Sequence, residues 1–190
     1  MYSEQKILRM LFNNNVKYIS SVKNIMSYTD KNIIIKMKNT HVAHRLHERC
    51  TKNEIETVFE HLDMFFIYYK CNLIKIINDA IEKQNNSDIR TETQFALFFK
   101  VDQYKNHSVF VFSVQYDKET NTVFILSRTY IDNYTSVTTP IDVFISVDQK
   151  HIDKRTWFDY SGFRPVLHPV YKMLTGENCP DFLKFMQIKY

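Results

Sequence analysis

Three histidines spaced three apart, His41, His44 and His47, run into Cys50, and these are residue types that bind zinc. Three residues turn a helix by about 300°, so each successive ligand falls back about 60° around the axis. Adjacent pairs can share a metal; all four cannot. Zinc-finger spacing is absent, and His61 or Asp63 would have to join from the next helix. The row therefore reads as a polar helix face, with no metal and no other cofactor expected; below about pH 6.5 it gains positive charge.

A second concentration of chemistry lies in 149–169, where no secondary-structure period holds. It contains the single tryptophan, Trp157, with Lys154, Arg155, Tyr160 and Arg164, and with His151, Asp153, Asp159, Ser161 and His168. Irregular segments of that length are often functional. Cations between aromatic rings suit single-stranded nucleic acid, with charge for phosphates and flat faces for bases. They equally suit the hot spot of a protein interface. The plainest alternative has the aromatics plugging the end of a sheet, with Arg155 and Arg164 paired to Asp153 and Asp159.

Catalysis is less well written. Asp159, Ser161 and His168 are the types of a hydrolase triad, but Ser161 lacks the glycine-flanked elbow that presents a serine nucleophile. Cys179 beside a helix start and His168 would make an activated thiol, against the commoner structural role of a buried cysteine. No catalytic residue is assigned, and the chain reads as a non-enzymatic one. The candidate binding residues are Lys154, Arg155, Trp157, Tyr160 and Arg164, joined by Lys36, Lys38 and Arg45 from the N-terminal quarter.

Only two glycines, Gly162 and Gly176, occur in 190 residues. Phosphate-cradling loops need glycine for positive φ and close backbone approach, so neither a P-loop nor a dinucleotide fingerprint can be written here. Alanine is nearly as scarce, at Ala43, Ala80 and Ala96 only, while Asn, Ile, Lys, Tyr and Phe abound, the bias of an AT-rich genome such as those of large DNA viruses, some parasites and some small bacteria. Residues 1–52 carry ten Lys/Arg against three Asp/Glu, a net +7, whereas the remainder carries 15 against 18, a net −3. A basic quarter on a mildly acidic body attracts phosphate or an acidic protein surface. Three cysteines without paired spacing argue against a disulfide framework. The N-terminus has no signal-peptide pattern, and the longest apolar stretch, 62–77, is interrupted by Asp63, Lys70, Asn72 and Lys75. The expectation is an intracellular protein, cytoplasmic or nuclear, with no membrane partner.

These residues must be positioned by secondary structure. Thr51 and Glu54 form a capping box, and apolar residues recur at three and four positions, predicting one long helix over 52–83. Its middle, 64–69, is apolar all round, which implies cover on several sides and makes a homodimer credible. Alternating β-branched and aromatic runs predict strands at 94–101, 108–116, 122–131 and 141–147, with 117–121 as a hairpin connection. The run 32–38 adds a further edge or central strand. Short amphipathic helices are predicted at 4–12 and 18–27, and near the C-terminus at 168–175 and 181–188.

The sequence predicts one α+β domain over 1–190, an antiparallel meander of four to five strands packed on one long central helix. Its expected function is that of a non-enzymatic binding protein acting through a protein interface built on the aromatic segment 149–169 around Trp157. The alternatives are a nucleic-acid-binding protein using the basic N-terminal face, and an enzyme whose His/Asp/Cys chemistry follows no recognised motif.

Overall fold

The computed structural model describes residues 1–25, 30–104, 107–132, 141–147 and 157–159. Among these described residues four helices and six strands follow in the order α1 (Glu4–Ile25), β1 (Asn32–Lys36), α2 (Thr40–Arg49), α3 (Lys52–Tyr68), α4 (Lys70–Asn85), β2 (Thr93–Phe99), β3 (Ser108–Asp117), β4 (Thr122–Ile131), β5 (Val143–Ser146) and β6 (Trp157–Asp159). The α+β class is as the sequence implies.

Three expectations need correcting. The long helix is two helices, meeting at Tyr69, whose φ of −98° and ψ of 36° break the helical path. No proline or glycine marks the break. Tyr69 is wholly buried and its ring lies 6.1 Å from that of Phe65, so packing sets the turn rather than a local breaker. Of the apolar girth at 64–69, Phe65, Phe66 and Tyr69 are buried while Tyr68 stays 54% exposed. At the other end of the chain the two short N-terminal helices are one, because α1 runs unbroken through Asn13, Asn14 and Asn15. Tertiary contacts outweigh the weak helix propensity of asparagine there: Asn15 Oδ1 accepts the Met37 backbone N–H at 2.6 Å. The predicted C-terminal helices lie outside the described residues.

The third correction concerns the sheet, which is mixed. Its order is β1-β4-β3-β2-β5-β6. The centre, β4-β3-β2, is the expected antiparallel meander. β5 does not continue it beside β4 but lies parallel to β2, and β1 lies parallel to β4. Parallel neighbours need long crossovers, which hydrophobic periodicity cannot reveal. β1 is an edge with the burial expected of one, Ile33 and Ile35 inward and Asn32, Ile34 and Lys36 outward.

One face of the sheet carries the core. Phe95, Leu97, Phe99, Phe110, Phe112, Val114, Ile125 and Val143 share a buried cluster with residues from all four helices. Aromatic rings run through it in close order: Phe65 to Phe95 at 5.6 Å, Phe95 to Phe112 at 5.0 Å, Phe112 to Phe110 at 4.9 Å, and Phe112 to Phe66 at 5.8 Å. Each such ring removes a large apolar area from water, the main force holding helices to sheet. The capping box forms as the sequence requires, Thr51 Oγ1 accepting from the Glu54 N–H at 3.3 Å and Glu54 Oε2 from the Thr51 N–H at 2.7 Å.

The opposite face is buried at its centre, at Ala96, Phe98, Val109 and Val111, and polar beyond. There a register shift in the β3–β4 pairing leaves Arg128 as an extra residue between Ser127, opposite Phe112, and Thr129, opposite Val111. A bulge of this kind re-aims a side chain. Arg128 bonds Ser113 Oγ and Glu92 Oε2, each at 3.0 Å, and Glu92 also accepts from Gln115 and Gln94 at 2.9 Å. Burial alone would raise the Glu92 carboxyl, but the hydrogen bonds from Gln115 and Gln94 and the charge of Arg128 outweigh it and hold it below its ordinary value.

Candidate docking face on the first helix

Helix α1 carries two apolar stripes. Successive residues advance about 100°, which puts Ile7, Leu11, Tyr18 and Val22 within about 60° of arc. These four are wholly buried. Leu8, Phe12, Val16 and Ile19 fall within a neighbouring arc of about 80°. Leu8 and Ile19 are partly buried and pack against the core, whereas Phe12 is 55% exposed and Val16 67% exposed. A helix with one buried stripe is ordinary; a second on the open side asks for another partner.

The inner side is fastened firmly enough to fix which face looks out. The Tyr18 hydroxyl donates to Asp63 Oδ1 at 2.6 Å and the Lys17 ammonium to Asp63 Oδ2 at 2.6 Å, tying α1 to α3. The Tyr18 ring stacks on Phe66 at 4.2 Å. Burial, then the bond to Asp63, pushes the Tyr18 phenol far above its ordinary value of 10.0, so it remains a donor. Tyr2 donates to Glu56 at 2.6 Å, and its backbone carbonyl accepts from His47 Nδ1 at 2.9 Å.

Beside the outer stripe lies a groove of about 390 Å³ lined by Gln5, Leu8, Arg9, Phe12, Asn13 and Lys38. Its floor is apolar and its rim carries two cations. Neither Arg9 nor Lys38 makes an ion pair among the described residues, nor do Lys23, Lys36 and Arg45, whereas Lys17, Lys31 and Arg49 are paired with Asp63, Asp30 and Asp132. The basic quarter is thus partly neutralised, and what stays free includes both sides of the groove.

The histidine row divides its labour. His41 Nε2 meets Thr129 Oγ1 at 3.1 Å, His44 lies between Glu4 at 2.7 Å and Glu48 at 3.3 Å, and His47 donates to the Tyr2 carbonyl. The hydrogen bond to Glu4, then the charge of Glu48, raises the His44 pKa above 6.5. His61 Nδ1 donates to the Thr57 carbonyl at 2.7 Å while its ring stacks on Phe99 at 4.7 Å. Among the described residues no group of three or more His, Cys, Asp or Glu converges as a metal site.

Of the sequence-predicted binding residues, Lys38 stands at the groove. Lys36 is exposed on β1 with its ammonium 5.7 Å from the Phe124 ring centroid, and Arg45 is half-buried on α2. Trp157, expected in an irregular stretch, instead begins β6, paired with Ile145 of β5. Lys154, Arg155, Tyr160 and Arg164 lie outside the described residues, as do His151, Ser161, His168 and Cys179. Separate helices at 4–12 and 18–27 leave Val16 in the gap between them and so hide its alignment with Phe12; a helical wheel over the whole of α1 displays both stripes. No helix among the described residues is long and apolar enough to cross a membrane. No family model, curated protein or solved structure matches the chain.

Proposed function

We propose that the chain is a non-enzymatic binding protein acting through a protein interface whose core is the outer stripe of α1. The exposed pair Phe12 and Val16, one turn apart on a helix already anchored by its other side, carries this reading. A phenylalanine offers about 200 Å², so 55% exposure leaves about 110 Å² open. Covering it is worth about 2.8 kcal/mol at about 25 cal/mol/Å², roughly a hundredfold in affinity. The stripe belongs to a rigid element, so little ordering opposes docking. Substitution of Phe12 and Val16 together by serine tests the reading. A complex isolated with the wild-type chain should be lost with the variant while the thermal unfolding midpoint holds; retention of the complex would refute it.

A second reading, nucleic-acid binding, is favoured by the cations Arg9, Lys23, Lys36, Lys38 and Arg45, which make no ion pair among the described residues. It predicts binding to labelled single- or double-stranded DNA or RNA that falls steeply between about 50 and 200 mM salt and is lost on charge reversal at Lys36, Lys38 and Arg45. Absence of binding at the lower salt removes it.

A further inference from the structure

Resting on the docking reading above, we infer that the occupant of the α1 groove is an acidic amphipathic helix of another protein. From Gln5 at the groove to the exposed Val16, the open side of α1 runs eleven steps of a helix, about 16 Å, the length of three turns of a partner helix. Its apolar floor, Leu8 and Phe12, suits side chains arriving at spacings of three and four residues. The rim chooses the flanks. Arg9 on α1 and Lys38 in the β1–α2 connection border the groove, both exposed and both without an ion pair among the described residues. Lys23 lies on the same side of α1, two turns beyond Val16. A partner with carboxylates beside its apolar stripe meets these cations; one with lysines is repelled.

The same charges argue against the other occupants. Two copies of this chain meeting through the stripe by a twofold axis would bring like cations together. Nucleic acid would satisfy the cations and leave the apolar floor without a partner of its kind. An anionic vesicle offers both charge and apolar depth, and is separated from a peptide by experiment.

The test uses the full chain and four probes: a labelled synthetic fourteen-residue helix with leucines at three- and four-residue spacing and glutamates on the flanks, the same peptide with lysines for glutamates, a labelled single-stranded oligonucleotide, and vesicles of phosphatidylcholine with and without phosphatidylserine. The expected result is binding of the glutamate peptide with at least a tenfold preference over the lysine peptide. The doubly reversed variant R9E/K38E should invert that preference, and F12S/V16S should lose both peptides. Because Arg9 and Lys38 are exposed and make no ion pair among the described residues, the reversed variant should retain its fold, checked by its circular dichroism melt. Equal binding of both peptides, abolished by F12S/V16S, overturns the acidic partner and leaves the docking face standing. Binding of neither peptide, or binding indifferent to F12S/V16S, overturns both. Stronger binding to the oligonucleotide or to phosphatidylserine vesicles than to the glutamate peptide also overturns the inference, and a concentration-dependent dimer lost in F12S/V16S reassigns the face to a second copy.

Discussion

Replacing Tyr18 by phenylalanine isolates the bond that sets the orientation of α1. The ring is wholly buried and stacks on Phe66 at 4.2 Å, so phenylalanine keeps the packing and removes only the hydroxyl, which donates to Asp63 Oδ1 at 2.6 Å. A hydrogen bond to a charged acceptor is worth about 1.5 to 3 kcal/mol. The Asp63 side chain is 33% exposed and keeps Lys17 as a partner, so water and the ammonium compensate part of the loss and the lower end, about 1.5 kcal/mol, applies. With a urea m-value of about 2 to 3 kcal/mol/M, the midpoint should fall by about 0.5 to 0.75 M at unchanged slope. A cycle with Asp63→Ala should give a coupling of about 1 kcal/mol. A Tyr18→Phe midpoint within about 0.1 M of wild type, or a coupling near zero, would refute the reasoning that this bond fastens α1 to α3. Affinity for a partner at the outer stripe should be unaffected, since Phe12 and Val16 lie on the other side of the helix.

His44, bonded to Glu4 and Glu48, has a raised pKa, so its contribution is fully present below about pH 6.5 and is lost as pH climbs through its folded-state value. His44→Gln should flatten the dependence of the urea midpoint between about pH 6 and 8, measured at fixed salt; an unchanged slope would place the titrating group elsewhere. The bulge network runs with the opposite sign. Glu92 is held below its ordinary value, so its contribution is present above about pH 4.5 and is lost as pH falls through its folded-state value. Glu92→Gln should therefore make the acid limb of the stability profile shallower, and should cost about 1 kcal/mol at neutral pH by uncoupling Arg128. Thr51→Ala removes the cap of α3 and should cost about 1 kcal/mol in the same assay, whereas Thr51→Ser should cost less than half of that.

Local signals proved legible where one local rule decides. The capping box at Thr51 and Glu54, the strand pattern of β3 and β4 and the polar connection 117–121 follow from periodicity and side-chain chemistry alone. There the chain turns through Asn121, whose φ of 51° is left-handed, with its side chain bonded to Tyr116 and to the Asp30 carbonyl. What sequence could not show was decided by contacts distant along the chain. The break at Tyr69 contains no breaker, and the junction of α1 through Asn13 to Asn15 resembles a loop until Met37 supplies a donor to Asn15. The parallel placement of β1 and β5 depends on crossovers that carry no signature. The proposed docking face depends on the same junction: Phe12 and Val16 share a stripe only when 4–25 is one helix. Arg128 was equally hidden, since a bulge is a register event and belongs to neither strand by itself.

The most direct measurement places a photo-reactive benzophenone side chain at position 12 of the full chain, with position 78 on the exposed side of α4 as the control. Irradiation in extract of the source cell should yield a discrete heavier product from position 12 and none from position 78, suppressed by excess wild-type protein and not by F12S/V16S. The same products from both positions, or products undiminished by the wild-type competitor, would contradict a specific interface on α1.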